Sequence, residues 1–304
     1  MSAPVIGFAE GEAALDWLRL TEALAAGHQR PRAEIADTFL YRGKDTLLTR
    51  SAWIDGLGLA VKSATIFPGN PARGQAMVNG RVSLYSDETG FLSAIVDFHL
   101  VTKWKTAGDS LLAARRLARP DSRRILIVGA GTVARSLREA YGAAFPGAEF
   151  QCWNRSPEAA AALAAAYPAT TAVRDLAAAV ADADIVTSAT MAHEPVIRGE
   201  WLSPGTHVDL IGAYRPDMRE ADDCVLQRGR LFVDSFDTTL DHIGELKMPL
   251  ANGAITRSDV LADYYDLAGF QRRNAAEITV FKNGGGAHLD LMTAMHILEA
   301  WSQT

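Results

Sequence analysis

The sequence has few cysteines and no surplus of positive charge. Among its 304 residues only Cys152 and Cys224 are cysteines, too few for a disulfide framework or a cysteine-based zinc site, and they fit a reducing cytoplasm. Thirty Lys and Arg against 36 Asp and Glu residues give a net charge of −6, so no basic field is available for nucleic acid. No apolar run reaches the roughly 18 residues of a membrane span, and the first residues lack the layout of a signal peptide. We therefore expect a cytoplasmic protein without a nucleic-acid or membrane partner.

Several catalytic signatures are also missing. The sequence contains neither an HExxH nor a GxSxG motif, and it shows no Cys/His arrangement typical of a nucleophile and its base. Its seven histidines do not have the spacing of metal ligands. We therefore predict that the protein has no metal site.

The pattern that is present divides into two regions, and a length of 304 residues allows about two domains. In the first region, residues 10–26 have helical periodicity. Three later segments have the pattern of strands in an antiparallel meander: Gly56–Ile66, Gln75–Ser86 and Phe91–Asp97. Between the last two, Asp87–Gly90 has the polar residues and the glycine of a turn. A helix is then predicted over Thr106–Leu117.

From Arg124 onward the predicted strands are short and wholly apolar. They are Ile125–Val128, Phe150–Trp153, Ile185–Ser188, Val208–Ile211 and Leu231–Val233. Strands without polar alternation are buried on both faces, as in a parallel sheet covered by helices. This α/β pattern predicts a Rossmann dinucleotide-binding domain over residues 122–285. Residues 1–121, completed by a returning helix within 286–304, would form a discontinuous α+β domain.

A glycine turn marks the predicted dinucleotide site. Residues Gly129–Ala134 (GAGTVA) match G-x-G-x-x-G/A, directly follow the strand RILIV and open a helix. The first glycine permits the tight turn, the second lets the backbone approach a pyrophosphate, and Ala134 permits close helix–strand packing. The helix N-terminus favours the phosphate charge. The predicted cofactor-binding residues here are Gly129, Ala130, Gly131, Thr132 and Val133. The alternative is a glycine-rich turn that binds no cofactor.

The end of the second strand bears on which dinucleotide is bound. An NAD site usually has Asp or Glu there, which accepts a hydrogen bond from the ribose 2′-hydroxyl. This chain has Asn154, Arg155 and Ser156 instead, and the nearby acid, Glu149, lies at the other end of the strand. Arg155 offers a positive charge for a 2′-phosphate, although it could equally face solvent. We therefore predict that these three residues bind NADP(H), with NAD(H) as the alternative.

Three cations of the first region are candidates for holding an anion. Lys62 lies in the middle of an apolar strand, where an ammonium without a partner is costly to bury. It therefore either extends to solvent or faces a site. Arg42 and Lys105 have no acidic partner at helical spacing, and each alone has the pattern of a surface residue.

Several motifs occur in one order along the chain: VKSATIFPGNPARG, DETGFLSAIVD, KTAGDS, VGAGTVA, WNRSPE, DIVTSAT and NGGGAHLDL. Together they resemble the ornithine cyclodeaminase/μ-crystallin family, over about the whole chain from Arg42 onward. Within that family the motifs are most similar to bacterial Δ1-pyrroline-2-carboxylate (ketimine) reductases. The resemblance implies a two-domain, NAD(P)-dependent homodimer whose discontinuous domain binds the substrate and forms the dimer.

The resemblance also implies particular site residues. Lys62 matches the family's catalytic lysine, which contacts the substrate carboxylate. Arg42, Lys105 and Thr106 match substrate-binding positions. Lys105 stands where the family usually has arginine, a change that keeps the charge but loses the bidentate fork. Three further residues match the strand end near the nicotinamide ribose and are predicted to bind the cofactor: Ser188, Ala189 and Thr190.

Tyr214 is an informative departure from the family. It falls where cyclodeaminases carry their catalytic aspartate, and a phenol with an ordinary pKa of about 10 is a poor substitute at neutral pH. Reduction of a preformed cyclic imine requires less: cations to hold the carboxylate, a hydride from the cofactor at C2, and a donor for the imine nitrogen. Tyr214, His288 and Asp290 are the catalytic candidates for donating a proton or orienting the ring. The alternatives are a wall residue for Tyr214 and a buried structural histidine for His288.

We therefore expect NAD(P)H-dependent reduction of Δ1-pyrroline-2-carboxylate, of its six-membered homologue Δ1-piperideine-2-carboxylate, or of both, to the cyclic L-amino acid. The imino or amino acid would be the small-molecule partner. An ornithine cyclodeaminase, or an alanine-dehydrogenase-like enzyme on the same scaffold, is the alternative. A function of another class is an NADPH-dependent small-ligand binder without useful turnover, as in the hormone-binding role of μ-crystallin.

Overall fold

The computed structural model describes residues 3–304. The chain forms two compact units: the first reaches Lys105 and resumes at Gly286, and the second is Thr106–Gly285. The sequence placed the first boundary after residue 121, whereas the structure divides the chain inside a helix, Phe98–Leu117.

The early start of this helix explains part of the difference. The sequence predicted that it begins at Thr106, but it begins at Phe98, because the Asp97 carboxylate accepts hydrogen bonds from His99 N (2.8 Å) and Leu100 N (3.0 Å). A side-chain acceptor before the first turn satisfies backbone donors that the helix leaves unpaired.

The two parts of the helix also pack on different residues. In its first part, the Trp104 ring stacks on Trp17 with 3.8 Å between ring centroids. In its second part, the Asp109 carbonyl accepts a hydrogen bond from the Tyr264 hydroxyl (2.6 Å). Helical periodicity alone does not reveal such a change of partners, so the boundary was placed too late.

The first unit is built mainly on an antiparallel sheet. Its elements before the boundary are β1 (Val5–Ile6), α1 (Phe8–Ala13), α2 (Trp17–His28), β2 (Glu34–Arg42), β3 (Asp45–Ile54), β4 (Gly58–Ile66), β5 (Val78–Tyr85), β6 (Leu92–Asp97) and α3 (Phe98–Leu117). The sheet order is β1-β6-β5-β4-β3-β2. The antiparallel meander of β4, β5 and β6 is confirmed, and Gly90 takes the positive φ (+69°) expected of its turn.

Two features of this unit differ from the sequence expectation. The helix predicted over residues 10–26 is two helices, because the Asp16 carboxylate accepts from Leu18 N and Arg19 N, at 2.9 Å each, and starts α2 anew. The hairpin of β2 and β3 was not predicted. Every residue of β2 is exposed, so the strand lacks the apolar alternation by which half-buried strands are recognised.

The remaining elements form the second unit and the returning helix. They are β7 (Arg124–Val128), α4 (Thr132–Ala144), β8 (Glu149–Trp153), α5 (Pro157–Ala166), β9 (Thr170–Ala172), α6 (Leu176–Asp182), β10 (Ile185–Ser188), β11 (His207–Leu210), α7 (Asp223–Arg228), β12 (Arg230–Val233), α8 (Phe236–Thr239), α9 (Gly244–Asn252), β13 (Val260–Ala262), β14 (Thr279–Lys282) and α10 (Ala287–Ser302). Helix α10 belongs to the first unit, where it packs on β3, β4 and α2.

The second unit contains an eight-stranded sheet in the order β13-β12-β14-β11-β10-β7-β8-β9, and all its pairings are parallel. The chain leaves β7 toward β8 on one side and resumes with β10 on the other. Strands β7 and β10 therefore flank the topological switch point, where open α/β sheets bind ligands at the carboxyl ends of the strands. The predicted α/β fold with a Rossmann-type sheet is confirmed.

Within residues 3–304, no helix combines the length and the apolar character that are needed to cross a membrane.

Candidate active site

The glycine turn lies at the switch point of the parallel sheet. Gly129 has φ +114°, and a Cβ on it would lie 2.7 Å from the Ala189 carbonyl oxygen, so only glycine fits there. A Cβ on Gly131 would meet no protein atom within 4 Å, which leaves open space in front of the first turn of α4. Unpaired backbone N–H groups and the helix dipole favour an anion in such a space. These features fit a dinucleotide pyrophosphate.

A cavity of about 300 Å³ opens beside this turn. We call it the dinucleotide pocket; its walls are Gly129, Ala130, Gly131, Trp153, Asn154, Arg155, Ser156, Ala189, Thr190, Met191, Ala192 and Val196. Eight of the eleven predicted cofactor residues are among them. The other three do not line it: Thr132 and Val133 begin α4, and Ser188 is fully buried.

Four wall residues were not predicted: Trp153, Met191, Ala192 and Val196. Trp153 ends β8, and its indole N–H donates to the Arg174 carbonyl (3.2 Å). The other three belong to the segment after β10, which carries no motif. Only its position after a strand next to the switch point could have indicated it.

The strand end expected to contact the ribose contains no acid. After Trp153 come Asn154, whose amide donates to the Ser156 carbonyl (3.1 Å), and Arg155, which is exposed. The Ser156 hydroxyl donates to the Glu158 carboxylate (2.8 Å). Arg155 thus brings a positive charge to this wall of the pocket.

In the first unit, three polar residues form one rung across the sheet. Asp37 on β2 pairs in register with Arg50 on β3, and Arg50 pairs with Lys62 on β4. Residues opposite one another on neighbouring strands share a face. Arg50 makes a bidentate contact with Asp37, with Nε to Oδ1 at 3.1 Å and Nη2 to Oδ2 at 2.8 Å. Arg50 was missed by sequence analysis, because its alignment with Lys62 depends on the register of a hairpin that was not predicted.

Lys62 meets its counterion from α10. Its Nζ donates to Asp290 Oδ1 (2.8 Å) and to Thr102 Oγ1 (3.0 Å), and it lies 4.7 Å from the centre of the Phe98 ring. The Lys62 and Asp290 side chains are only 9% and 1% exposed. An ammonium has three N–H donors, so one remains for an acceptor on a ligand.

The charges around this pair shift its titration. Burial lowers the pKa of Lys62 from its ordinary value of 10.5, and Lys105 lowers it further, whereas Asp290 opposes both. Burial would raise the pKa of Asp290, but the charges of Lys62, Lys105 and Arg50 outweigh burial and hold that pKa below its ordinary value. Asp290 is therefore an anion at neutral pH.

His288, two residues before Asp290 on α10, is buried. Burial and the charge of Lys105 lower the pKa of His288 to about 3, against the opposing effect of Asp290. Its ring packs edge-on against the ring of His28, with centroids 5.4 Å apart. A neutral imidazole with this pKa is a poor acid at neutral pH. The lowered pKa values of His288 and Asp290 therefore disfavour both residues as proton donors at neutral pH.

Arg42 does not join this group. It pairs in register with Asp45, so it lies on the face of the sheet opposite to Arg50 and Lys62. Its side chain is 81% exposed and forms an ion pair with Asp45 at 3.0 Å. The prediction that Arg42 binds substrate alongside Lys62 is corrected: the arginine on the Lys62 face is Arg50.

The other two predicted substrate residues, Lys105 and Thr106, lie in α3 where the chain passes from the first unit to the second. Tyr214 lies elsewhere. Lys105 is buried and acts electrostatically on Lys62 and His288. Thr106 begins the second unit, and its carbonyl accepts from the Asn283 amide (3.0 Å). Tyr214, after β11 in the second unit, is 58% exposed and has no part in the walls of the dinucleotide pocket.

The chemistry available in the first unit follows from these charges. The cationic cluster, which we define as Lys62, Arg50 and Lys105, faces the two carboxylates of Asp290 and Asp37. The positive charges of this cluster favour a carboxylate on a ligand. Within residues 3–304 no three His, Cys, Asp or Glu side chains are grouped to hold a metal ion.

The chain is similar to known proteins over most of its length. The model of the ornithine cyclodeaminase/mu-crystallin family matches residues 51–304. The chain is 54% identical to the Delta(1)-pyrroline-2-carboxylate reductase of Paracoccus denitrificans (strain Pd 1222), over 97% of this chain and 96% of that protein.

Two solved structures are similar over nearly their whole length. The Thermococcus litoralis Delta(1)-pyrroline-2-carboxylate reductase in complex with NADH and L-proline has a TM-score of 0.88 and 26% identity, covering 98% of this chain and 97% of that one. An archaeal alanine dehydrogenase dimer with bound NAD has a TM-score of 0.90 and 26% identity, covering 100% and 97%. With most of its length matched by the family model, this chain belongs to the ornithine cyclodeaminase/mu-crystallin family.

Proposed function

We propose that this protein reduces a cyclic ketimine acid, Δ1-pyrroline-2-carboxylate or Δ1-piperideine-2-carboxylate or both, to the cyclic L-amino acid. It is an NAD(P)-dependent oxidoreductase acting on a C=N bond. The observation that carries the proposal is the cationic cluster, in which the buried Lys62–Asp290 pair lies in register beside Arg50. The 54% identity to the Paracoccus denitrificans reductase supports the same substrate class.

The cofactor is a nicotinamide dinucleotide, which when bound supplies a hydride to the imine carbon. Its pyrophosphate fits the open space at Gly131, before the first turn of α4. We further propose that NADP(H) is preferred over NAD(H), because Arg155 stands where an NAD site has an acid. The neighbouring structures with NADH and NAD keep NAD(H) as the competing possibility.

The carboxylate of the imine is held by the cationic cluster. Arg50 offers a planar guanidinium fork, which matches a carboxylate better than the ammonium of Lys105 does. Asp37 now occupies part of that fork. Since Asp37 and Arg50 are both partly exposed, an incoming carboxylate competes with Asp37 for the guanidinium.

Lys62 supplies the proton for the nitrogen. Reduction adds hydride to carbon and a proton to nitrogen, so the product amine needs an acid that is protonated before the reaction. The pKa of Lys62 is lowered toward neutrality, and one of its three N–H donors is not used by Asp290 or Thr102. An acid with a pKa nearer the working pH transfers its proton more readily. Asp290, which stays ionised, keeps Lys62 charged.

The resemblance to the family implies a homodimer. We propose that its interface is the face of the first unit's sheet opposite to Arg50 and Lys62. On this face Leu40, Leu47 and Trp53 are 62%, 41% and 48% exposed, and an apolar groove of about 470 Å³ runs beside Trp53. Exposed apolar patches of this kind usually mark an interface. Light scattering of the purified protein should give twice the 32.7 kDa chain mass; the mass of a single chain would contradict the dimer.

A cytoplasmic location is also part of the proposal. It rests on Cys152 and Cys224, which are both free in the described chain. Recovery of the native protein in a membrane or secreted fraction would contradict it.

The function is tested by mixing the purified protein with NADPH or NADH and each of the two imines, and by following cofactor absorbance. We expect oxidation of the cofactor with at least one imine and the matching cyclic amino acid as product. Ornithine with the oxidised cofactor is supplied in parallel, and proline with ammonia at a comparable rate would favour a cyclodeaminase. Tight NADPH binding without turnover of either imine would favour a binding protein.

A further inference from the structure

Glu220 ties together the carboxyl ends of two neighbouring strands in the second unit. It is fully buried, and its carboxylate accepts four hydrogen bonds. Oε1 accepts from the Ser188 hydroxyl (2.7 Å), from Thr190 N (2.6 Å) and from the Thr190 hydroxyl (2.7 Å) at the end of β10. Oε2 accepts from Gly212 N (2.6 Å) after β11.

The backbone around Glu220 holds the same segment at its other end. The Glu220 carbonyl accepts from Val196 N (2.9 Å), and Arg219 N donates to the Ala192 carbonyl (3.1 Å). Thr190, Ala192 and Val196 are all walls of the dinucleotide pocket. Glu220 therefore fixes both ends of the segment 190–196 without lining the pocket itself.

The two strand ends that Glu220 joins are very close. A Cβ on Gly212 would lie 1.8 Å from the Thr190 carbonyl oxygen and 2.7 Å from Glu220 Oε1. The space beside Gly212 is thus filled by the Thr190 backbone and the Glu220 carboxylate. A second acid, Glu245, holds the backbone at Glu220. The Glu245 carboxylate accepts from Glu220 N (2.7 Å) and Ala221 N (3.0 Å).

We propose that Glu220 is a positioning residue for the cofactor: it sets the shape of the pocket wall formed by residues 190–196. The inference rests on the proposed function, since it assumes that this pocket binds a nicotinamide dinucleotide. A buried acceptor with four donors resists displacement, because each donor would lose its partner if the segment moved. Outer residues that orient binding groups in this way determine how accurately a site fits its ligand.

The test is the variant Glu220→Gln, which keeps the size of the side chain but replaces one acceptor oxygen by an amide donor. The N–H or O–H donors at the end of either β10 or β11 would then face the amide N–H₂ group instead of an acceptor oxygen. We expect the Kd for NADPH, measured by the fluorescence of the bound dihydronicotinamide, to rise about ten- to a hundredfold. A smaller change is expected in KM for the imine.

Asp184 supplies a matched control. It lies directly before β10, at the amino end of the strand, whereas Glu220 contacts the carboxyl end. Its carboxylate accepts from Arg119 Nη2 (2.5 Å), Arg123 N (2.7 Å) and Arg124 N (2.9 Å). Asp184→Asn should lower thermal stability about as much as Glu220→Gln, but should leave the Kd for NADPH within about twofold of wild type. This comparison separates positioning of the pocket from a general structural role.

The possible outcomes have distinct meanings. An unchanged Kd in a folded Glu220→Gln protein, or an equal rise in both variants, would overturn the inference. If Glu220→Gln does not fold, Glu220→Asp is measured instead, since its shorter side chain keeps the charge but cannot reach both strands. A raised Kd in that variant supports the inference; an unchanged Kd, or failure of both variants to fold, overturns it. Wild-type protein that binds neither NADPH nor NADH would instead refute the proposed function.

Discussion

Lys62 Nζ lies 2.8 Å from Asp290 Oδ1, although the two residues are 228 positions apart in the sequence, and both side chains are nearly inaccessible to solvent. An unpaired buried ammonium would lose its proton. Asp290 keeps Lys62 charged, while burial brings the pKa of Lys62 down toward the range in which a proton can be donated. This balance is the basis of the mechanism that we propose.

The first prediction concerns the alkaline limb of the pH profile. If protonated Lys62 is the acid, kcat/KM falls as pH rises through the pKa of Lys62, which lies below 10.5. Asp290 raises that pKa, so Asp290→Asn should lower it further and move the limb to lower pH. The profile is measured from initial rates of imine reduction.

Asp37→Asn is the control for this prediction. Asp37 contacts Arg50 and is not among the groups that shift the pKa of Lys62, so the limb should stay in place in this variant. A limb that stays in place in Asp290→Asn, or moves equally in both variants, would mean that Lys62 is not the titrating acid.

The second prediction compares two arginines on opposite faces of one hairpin. Arg50→Ala should raise KM for the imine about tenfold or more, because a hydrogen bond to a charged group contributes about 1.5–3 kcal/mol. Arg42→Ala, at the exposed position opposite Asp45, should leave KM within about twofold. Steady-state kinetics at saturating cofactor distinguish the two.

Asp37→Asn adds a further check on the role of Arg50. Removing the competing carboxylate frees the guanidinium, so KM for the imine should be unchanged or lower. An increase in KM comparable to that of Arg50→Ala would show that the intact Asp37–Arg50 ion pair is required, and that Arg50 does not bind the imine carboxylate in place of Asp37.

The third prediction concerns the two glycines of the turn. Gly129→Ala should destabilise the fold by about 1–3 kcal/mol, since φ is +114° and the new methyl group meets the Ala189 carbonyl at 2.7 Å. Gly131→Ala has an ordinary φ of −82° and open space around it, so it should fold normally. That methyl group would occupy the space of the pyrophosphate and weaken NADPH binding at least about tenfold.

Thermal melting and NADPH titration measure the two effects separately. If Gly131→Ala binds NADPH like the wild type, the pyrophosphate does not lie at this turn.

The fourth prediction concerns the choice of dinucleotide. Arg155→Ala should weaken NADPH binding about tenfold and leave NADH binding nearly unchanged, because the side chain is exposed and would contact only the 2′-phosphate. Arg273→Ala, another exposed arginine of the second unit outside the pocket, serves as the control for a general change of charge. An equal loss for both dinucleotides in Arg155→Ala would exclude Arg155 as the residue that distinguishes them.

Local features of the site could be predicted from the sequence, and non-local ones could not. The glycine turn was identified because strand, turn and helix are contiguous, and eight of the predicted residues line the pocket. Arg50 was missed because its place beside Lys62 depends on strand register, which the sequence around Arg42 does not reveal. Glu220 was missed for the same reason, since it bonds to Ser188, which lies 32 positions earlier.

The pairing of Lys62 with Asp290 was reached in a different way. Lys62 was singled out by its place in an apolar strand and by resemblance to the family, and Asp290 as a candidate for orienting the ring or relaying a proton, but nothing in the sequence indicated that they contact each other or that Asp290 stays ionised. That result required the packing of α10 on β4 and the charges of Lys105 and Arg50. Burial likewise made His288 a neutral imidazole, which the sequence had left open as a proton relay.

The most direct test of the central claim follows the hydrogen atoms. The purified protein is given NADPH that carries deuterium at the transferred position of the dihydronicotinamide, together with Δ1-pyrroline-2-carboxylate, and the product is analysed by mass spectrometry and chiral chromatography. We predict L-proline with one deuterium at C2, and loss of this product in Lys62→Met. Proline that forms without deuterium, or at an undiminished rate in Lys62→Met, would contradict the account.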